Sequence, residues 1–364
     1  MGDARPHQLH RRAAVRACLA PGQRRRAVGP ATGALAHVAP AERGGRGELA
    51  GSAGRTPARA HPTLTALAQR AEYAAYRAGA FVGRVLPAPM AGAIARGTQP
   101  LLARVYGARE EMTTMARSHL RHVYGPEVGD AELARHVRRL MDSYARYYME
   151  LFLLPSMSPG RIDDSIVFDG IEHVHEAREK GHGVIIAMPH TGNWDLAGAW
   201  VARRVPSTAV VERLEPPELY AWFNRVRHRL GFDTVPLGPE AGPALMRALR
   251  ANRVVGLLCD RDIGGTGIEV EFFGERTKLP GGPATLALRS GAPILPAAAY
   301  FDAEVGHRGV IQAPVESERT GRLREDVIRV TQNVTDALQK LIARAPTQWH
   351  NFQPTWPSDS AVKN

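Results

Sequence analysis

Cysteine is scarce: the 364-residue chain has two, Cys18 and Cys259. They make no disulfide framework, so stability has to come from a packed core in a reducing compartment. Aromatics are sparse as well, at 6%. No run approaches the roughly 18 consecutive apolar residues of a spanning helix. No uninterrupted apolar segment accompanies the Arg-rich start to read as a secretory signal. Acidic charge is also short, with 47 Lys and Arg against 36 Asp and Glu, a net +11. That excess is concentrated at one end. Residues 1–60 hold eleven Arg, no Lys and only Asp3, Glu42 and Glu48, a net +8, which leaves +3 for the remainder. The remainder is close to neutral, so the basic balance does not argue for a nucleic-acid partner.

What is present is a hydrophobic fraction of 44%, enough for one large α/β domain or two small ones. Residues 1–61 are rich in Arg, Ala, Gly and Pro without a period, and are expected to form a disordered tail, either solvated or a basic arm on an anionic membrane. From Thr63, Leu64, Leu67, Ala71, Ala74, Ala78, Phe81 and Val85 recur at three- and four-residue steps until Pro87. This predicts a helix, interfacial or packed on its own core. Further helices are expected near 91–105, 109–123 and 130–153. After Pro159 the texture alternates between short apolar strands and helices. The pattern predicts an α/β fold with a central, mostly parallel sheet flanked by helices and preceded by N-terminal helices. The expected organisation is a tail over 1–61, one domain over 62–357 and a short tail over 358–364. Within the domain, 62–155 is a helical membrane-docking part and 156–357 the α/β part.

The densest chemistry lies in Pro189-His190-Thr191-Gly192-Asn193-Trp194-Asp195. A buried strand, 183–188, ends at the histidine, and a Gly-containing turn leads into a helix. Catalytic groups of open α/β sheets collect at the carboxyl ends of strands, and imidazole is the side chain suited to proton transfer near neutral pH. Asp195 falls in the first helical turn, where the helix dipole favours a carboxylate. Folded back, it would accept a hydrogen bond from the imidazole and fix its tautomer, as in a serine triad. The same residues also read as a capping turn, with Asn193 or Thr191 as the cap and a chance histidine.

A second cluster, Asp260-Arg261-Asp262, follows the apolar strand 253–259 and leads into Gly264-Gly265-Thr266-Gly267 and the strand Ile268–Phe273. Charges at a strand end beside a Gly-rich turn can line a site, with Arg261 holding a phosphate. The alternative is a solvated turn and a polar sheet face carrying Glu269 and Glu271. Glu212-Arg213, with Arg225, Arg227, His228 and Arg229, form a third set, whose basic residues suit phosphates of a headgroup or of coenzyme A, or an ordinary helix surface. His173, His175 and His182 lack zinc spacing, so no metal is expected.

In these motifs the chain resembles the lysophospholipid acyltransferases, in the form used by the lipid A biosynthesis branch. Within that branch it is most similar to the actinobacterial phosphatidylinositol mannoside acyltransferases. The resemblance rests on residues 189–195, on Ser143-Tyr144-Ala145-Arg146-Tyr147-Tyr148-Met149-Glu150, and on Asp260-Arg261-Asp262 with Val270-Glu271-Phe272-Phe273-Gly274. It also rests on Gln348-Trp349-His350-Asn351-Phe352-Gln353-Pro354-Thr355-Trp356. It covers about 62–357. It implies transfer of a fatty acyl chain, palmitoyl in type, from acyl-CoA as co-substrate to a mannose hydroxyl of a phosphatidylinositol mannoside, with no further cofactor. The resemblance also implies a peripheral enzyme on the anionic cytoplasmic face of the plasma membrane. In it His190 is the base, Asp195 its orienter and Glu269 a catalytic glutamate with Glu271 as competitor, while Arg227, with Glu212 nearby, belongs to the acceptor region; Arg261, from its own position, and Glu271 are further candidates for substrate contact. Its rivals are an acyltransferase for a lipid A precursor or lysophospholipid, and a non-catalytic lipid-binding protein. An esterase would need a Gly-x-Ser-x-Gly elbow, which the chain lacks.

Overall fold

The computed structural model describes residues 88–213 and 217–361, with isolated positions 78, 81 and 85. The expected tail over 1–61 and the helix expected from Thr63 lie outside this range, apart from those isolated helical positions. The described stretch from 88 opens with α1 (Ala88–Gly107), α2 (Glu110–Tyr124) and α3 (Asp130–Leu153). Ala116 and Leu120 of α2 meet Leu133, Val137, Leu140 and Met141 of α3 in a small core of their own. Their three- and four-residue spacing is the amphipathic period that drives such pairs together. A short helix, α4 (Pro159–Asp164), leads into the sheet.

The sheet has seven strands: β1 (Val167–Asp169), β2 (Val184–Met188), β3 (Ser207–Val211), β4 (Phe232–Pro236), β5 (Val254–Leu258), β8 (Ile294–Asp302) and β9 (Gly306–Ile311). Their order is β1-β9-β8-β2-β5-β3-β4. All neighbours are parallel except β8 and β9, which run antiparallel. The expected mostly parallel sheet is therefore present. Its antiparallel pair follows from the connection, which is too short for a crossover and turns at Gly306 with φ 83°.

Helices cover both faces, as near-continuous apolar strands require. Ile185, Ala187, Val255 and Leu257 point to one side, under α8 (Ala241–Arg250), α9 (Gly282–Ser290) and α10 (Leu323–Arg344). Val184, Ile186, Val254 and Ala297 point to the other, under α5 (Glu172–Glu179), α6 (Trp194–Ala202) and α7 (Pro217–Arg229).

Two elements differ from expectation. The single strand at 268–273 is one arm of a separate antiparallel hairpin, β6 (Ile268–Phe272) with β7 (Glu275–Leu279). The segment expected as a tail after 357 opens with a helix, α11 (Pro357–Ala361), whose Asp359 is fully buried. Asp359 accepts from the Ser118 hydroxyl and from the Thr355 and Trp356 backbone N–H groups, and its other neighbour is His119 at 3.3 Å. A local sequence reading has no access to partners on α2.

Candidate active site

Strand pairing builds the centre of the site. β2 and β5 are adjacent, with Met188 opposite Leu258. Two residues further along each chain stand His190 and Asp260, side by side at the carboxyl edge of the sheet. Asp260 Oδ1 accepts from His190 Nδ1 at 2.6 Å, and Oδ2 accepts from the His190 backbone N–H at 3.0 Å and from Trp349 Nε1 at 2.7 Å. Three donors on a fully buried carboxylate satisfy the rule that buried charge be paired and hydrogen-bonded. Burial alone would raise the Asp260 carboxyl. The neighbouring His190, its hydrogen bonds and Arg261 outweigh burial and hold it well below the usual carboxylate range. The sign follows: a depressed acid stabilises the fold above its unfolded pKa of about 3.9, and that contribution is lost only on further acidification. Because the carboxylate is acceptor-only, the imidazole proton sits on Nδ1, which makes Nε2 the acceptor nitrogen of the ring.

The carboxylate that bonds the His190 imidazole is Asp260, where Asp195 was expected. Asn193 caps α6, its side-chain oxygen accepting from Leu196 N at 3.0 Å. The helix that follows turns Asp195 away from the imidazole. Asp195 instead accepts from Tyr147 Oη at 2.8 Å and from Arg227 Nε at 3.1 Å. Burial raises the Tyr147 hydroxyl far above the ordinary tyrosine range, with the Asp195 charge adding to it, so Tyr147 remains a donor. The turn is held from α3 as well. Glu150 accepts from Asn193 Nδ2 at 2.8 Å, from Arg146 Nε at 2.8 Å and from His307 Nε2 at 2.7 Å.

The segment 348–351 closes the site from above. Gly192 N–H donates to Gln348 O at 3.0 Å and His350 N–H donates to His190 O at 2.7 Å, with Thr191 and Trp349 forming an isolated bridge. Asn351 Nδ2 donates to Asp260 O at 3.2 Å. One clamp therefore grips both strand ends. Gly192 makes the close approach possible. Its φ is +55°, and a Cβ there would lie 2.4 Å from Ala299 O. Gly192→Ala is expected to cost about 2 kcal/mol or more, read as a lowered denaturant midpoint, with loss of activity at temperatures where the variant remains folded.

His350 is a second buried imidazole lining the site. Its Nε2 lies 2.8 Å from Ser143 Oγ, and Nδ1 is buried without a partner. Burial, reinforced by His190, pushes its pKa down to about 3. For a histidine depressed on folding, the unfolded chain binds the proton first. Stability should therefore fall as pH drops from about 6.5 towards about 3. His350→Gln should flatten that slope, in thermal melts taken across this range.

The cluster opens onto a cavity of about 1080 Å3, at the top of the ordinary range for small-molecule sites. His190, Trp194, Tyr147 and His350 line it, with Glu212, Arg227 and Arg261, beside an apolar wall that includes Leu151, Leu219, Phe223, Leu257 and Leu286. The structure thus brings His190, Glu212, Arg227 and Arg261 together. Glu269 and Glu271 are not among them. Both lie on the exposed face of the hairpin, where alternation sends Val270 and Phe272 inward, and Glu269 pairs with Arg276 at 2.8 Å. The residues that sequence reasoning did not place at the centre are Asp260, Trp349 and His350. Asp260 at a strand end was the available signal.

No serine or cysteine hydrogen-bonds the His190 imidazole among the described residues. Cys259 is buried, and burial pushes its thiol well up, so it stays protonated. An imidazole with a fixed tautomer, facing a large apolar-walled cavity without a protein nucleophile, suits an enzyme that deprotonates a hydroxyl of its substrate. The chain belongs to the bacterial lipid A biosynthesis acyltransferase family, whose model matches residues 64–358, and it is an acyltransferase. It is 36% identical over 289 residues to a phosphatidylinositol mannoside acyltransferase of Mycolicibacterium smegmatis, covering 78% of this chain and 91% of the relative. It is 38% identical over 272 residues to proteins of the same name from two strains of Mycobacterium tuberculosis, covering 70% of this chain and 84% of each relative.

Proposed function

We propose that the protein transfers a fatty acyl chain, palmitoyl in type, from acyl-CoA to a mannose hydroxyl of a phosphatidylinositol mannoside, with His190 as general base. The observation that carries this reading is the Asp260–His190 pair at the cavity edge, which leaves Nε2 as the proton acceptor. The mannose hydroxyl gives its proton to Nε2 as its oxygen attacks the thioester carbonyl. The C–S bond breaks, and the thiolate, a weak base, recovers the proton from the imidazolium. Asp260 holds the tautomer, and Asp195 braces Tyr147 and Arg227 in the cavity wall. The apolar wall buries the acyl chain, at roughly 0.8 kcal/mol per CH₂. The mannoside acceptor is supported by the names of the relatives, which match along most of their own length.

The enzyme works peripherally on the anionic cytoplasmic face of the plasma membrane. Among the described residues no helix is long and apolar enough to cross a bilayer. Met90, Ile94, Leu101 and Val105 of α1 are exposed and fall within one narrow helical stripe, as docking into a lipid surface requires.

The test is transfer from radiolabelled palmitoyl-CoA to a panel containing phosphatidylinositol mannoside, a lysophospholipid and a lipid A precursor. Label on the mannoside that disappears with His190→Ala is the expected result. Label on another lipid alone would reassign the acceptor, and transfer that survives His190→Ala would remove the base.

A further inference from the structure

The catalytic lone pair is already occupied. Arg261 Nη2 lies 2.6 Å from His190 Nε2, the atom that must receive the substrate proton. This is a poor resting place for a guanidinium. Its Nε is buried with no hydrogen-bond partner, and its nearest carboxylate, Glu212, is 3.9 Å away, beyond hydrogen-bond reach. Asp195 and Arg227, by contrast, neutralise each other in a direct ion pair. Arg261 is thus an under-satisfied cation in the cavity wall, its planar fork short of the anion it is built to bind.

We infer that Arg261 caps the His190 base against water and is drawn off it by a phosphate ester of the substrate, so that proton transfer is conditional on an anionic ligand. This rests on the reading of His190 as base. With Arg261 on Nε2, no water can be activated there, and a bound thioester is protected from hydrolysis. A phosphate offers the guanidinium two charge-assisted hydrogen bonds in place of one to a neutral ring. When Arg261 turns to it, Nε2 is exposed to the acceptor hydroxyl. Phosphate is carried both by coenzyme A and by a phosphoinositide headgroup, and the shared chemistry is what Arg261 reads.

The test uses a phosphate-free thioester, palmitoyl-N-acetylcysteamine, without acceptor, in wild type, Arg261→Met and Arg261→Lys. In hydrolysis, water adds to the carbonyl as its proton passes to Nε2, and the thiolate leaves and is protonated. Wild type should hydrolyse it slowly and Arg261→Met at least tenfold faster, with Arg261→Lys in between. Structural damage would not produce such a gain. Adenosine 3′,5′-bisphosphate and glycerophosphoinositol, added separately, identify the source. One of them should accelerate wild type several-fold and leave Arg261→Met unchanged. An Arg261→Met no faster than wild type, or a wild type indifferent to both anions, would overturn the cap. The double variant Arg261→Met with His190→Ala must lose the gain, and hydrolysis that persists in it means that His190 is not the base. If the gain depends on His190 while no mannoside is ever acylated, the transfer reading fails and the cap stands.

Discussion

Asp260→Asn will lower kcat by roughly three to four orders of magnitude while leaving KM nearly unchanged, in a protein that still folds but is less stable. The reason is a hydrogen-bond inventory. Asp260 Oδ2 already accepts two N–H groups, from the His190 backbone and Trp349. In the amide only the carbonyl oxygen can accept both, so the NH₂ must face His190 Nδ1. Nδ1 then has to be the acceptor, the proton moves to Nε2, and the ring can no longer take a proton from a hydroxyl. The same swap in serine proteases costs roughly 10⁴ in kcat by the wrong tautomer. Steady-state kinetics beside a denaturant melt checks it. A variant within tenfold of wild type would mean that Asp260 does not set the tautomer.

Asp195→Ala should act mainly on stability. Removing the carboxylate leaves Arg227 as a buried cation without its ion pair and the Tyr147 hydroxyl without an acceptor. Breaking one side of such a pair costs about 3–5 kcal/mol, whereas removing both charges costs far less. Asp195→Ala should therefore lower the urea midpoint markedly with an unchanged slope, and adding Arg227→Met should restore at least half of the loss. Were Asp195 the orienter of His190, the damage would fall on kcat with the midpoint spared. A stable, inactive Asp195→Ala would return that role to it.

The layered α/β fold was legible because its signals are local. Buried strands such as 184–188 and 254–258 are unbroken apolar runs, and α10 carries its period through Val330, Val334, Leu338 and Leu341. His190 was legible for the same reason, as a histidine at a strand end. Its partner was not. Asp195 is near in sequence, but Asp260 is near in space, because β5 inserts beside β2 while β3 and β4 pass outward. Strand order is a property of the whole sheet and leaves no mark in the 189–195 motif. Glu269 and Glu271 lie off the cavity for a related reason. Their shared face was correctly read, but only pairing with β7 and packing of Val270 and Phe272 against Trp349 and Trp356 decide which face meets solvent. The 348–356 motif carried no local sign of its place, since its backbone groups, the Trp349 indole N–H and the Asn351 amide act on residues far away in the chain.

That clamp has a consequence for how the enzyme comes into being. Translation delivers His190 and Asp260 long before residues 348–351, and domains generally fold from the N-terminal side as they emerge from the ribosome. Until Trp349 and Asn351 arrive, Asp260 lacks two of its partners and the 190–192 turn lacks its antiparallel neighbour. A nascent chain can thus hold a nearly complete sheet and still be inert. Activity is therefore expected only once residues 348–351 have joined the sheet, at the end of synthesis.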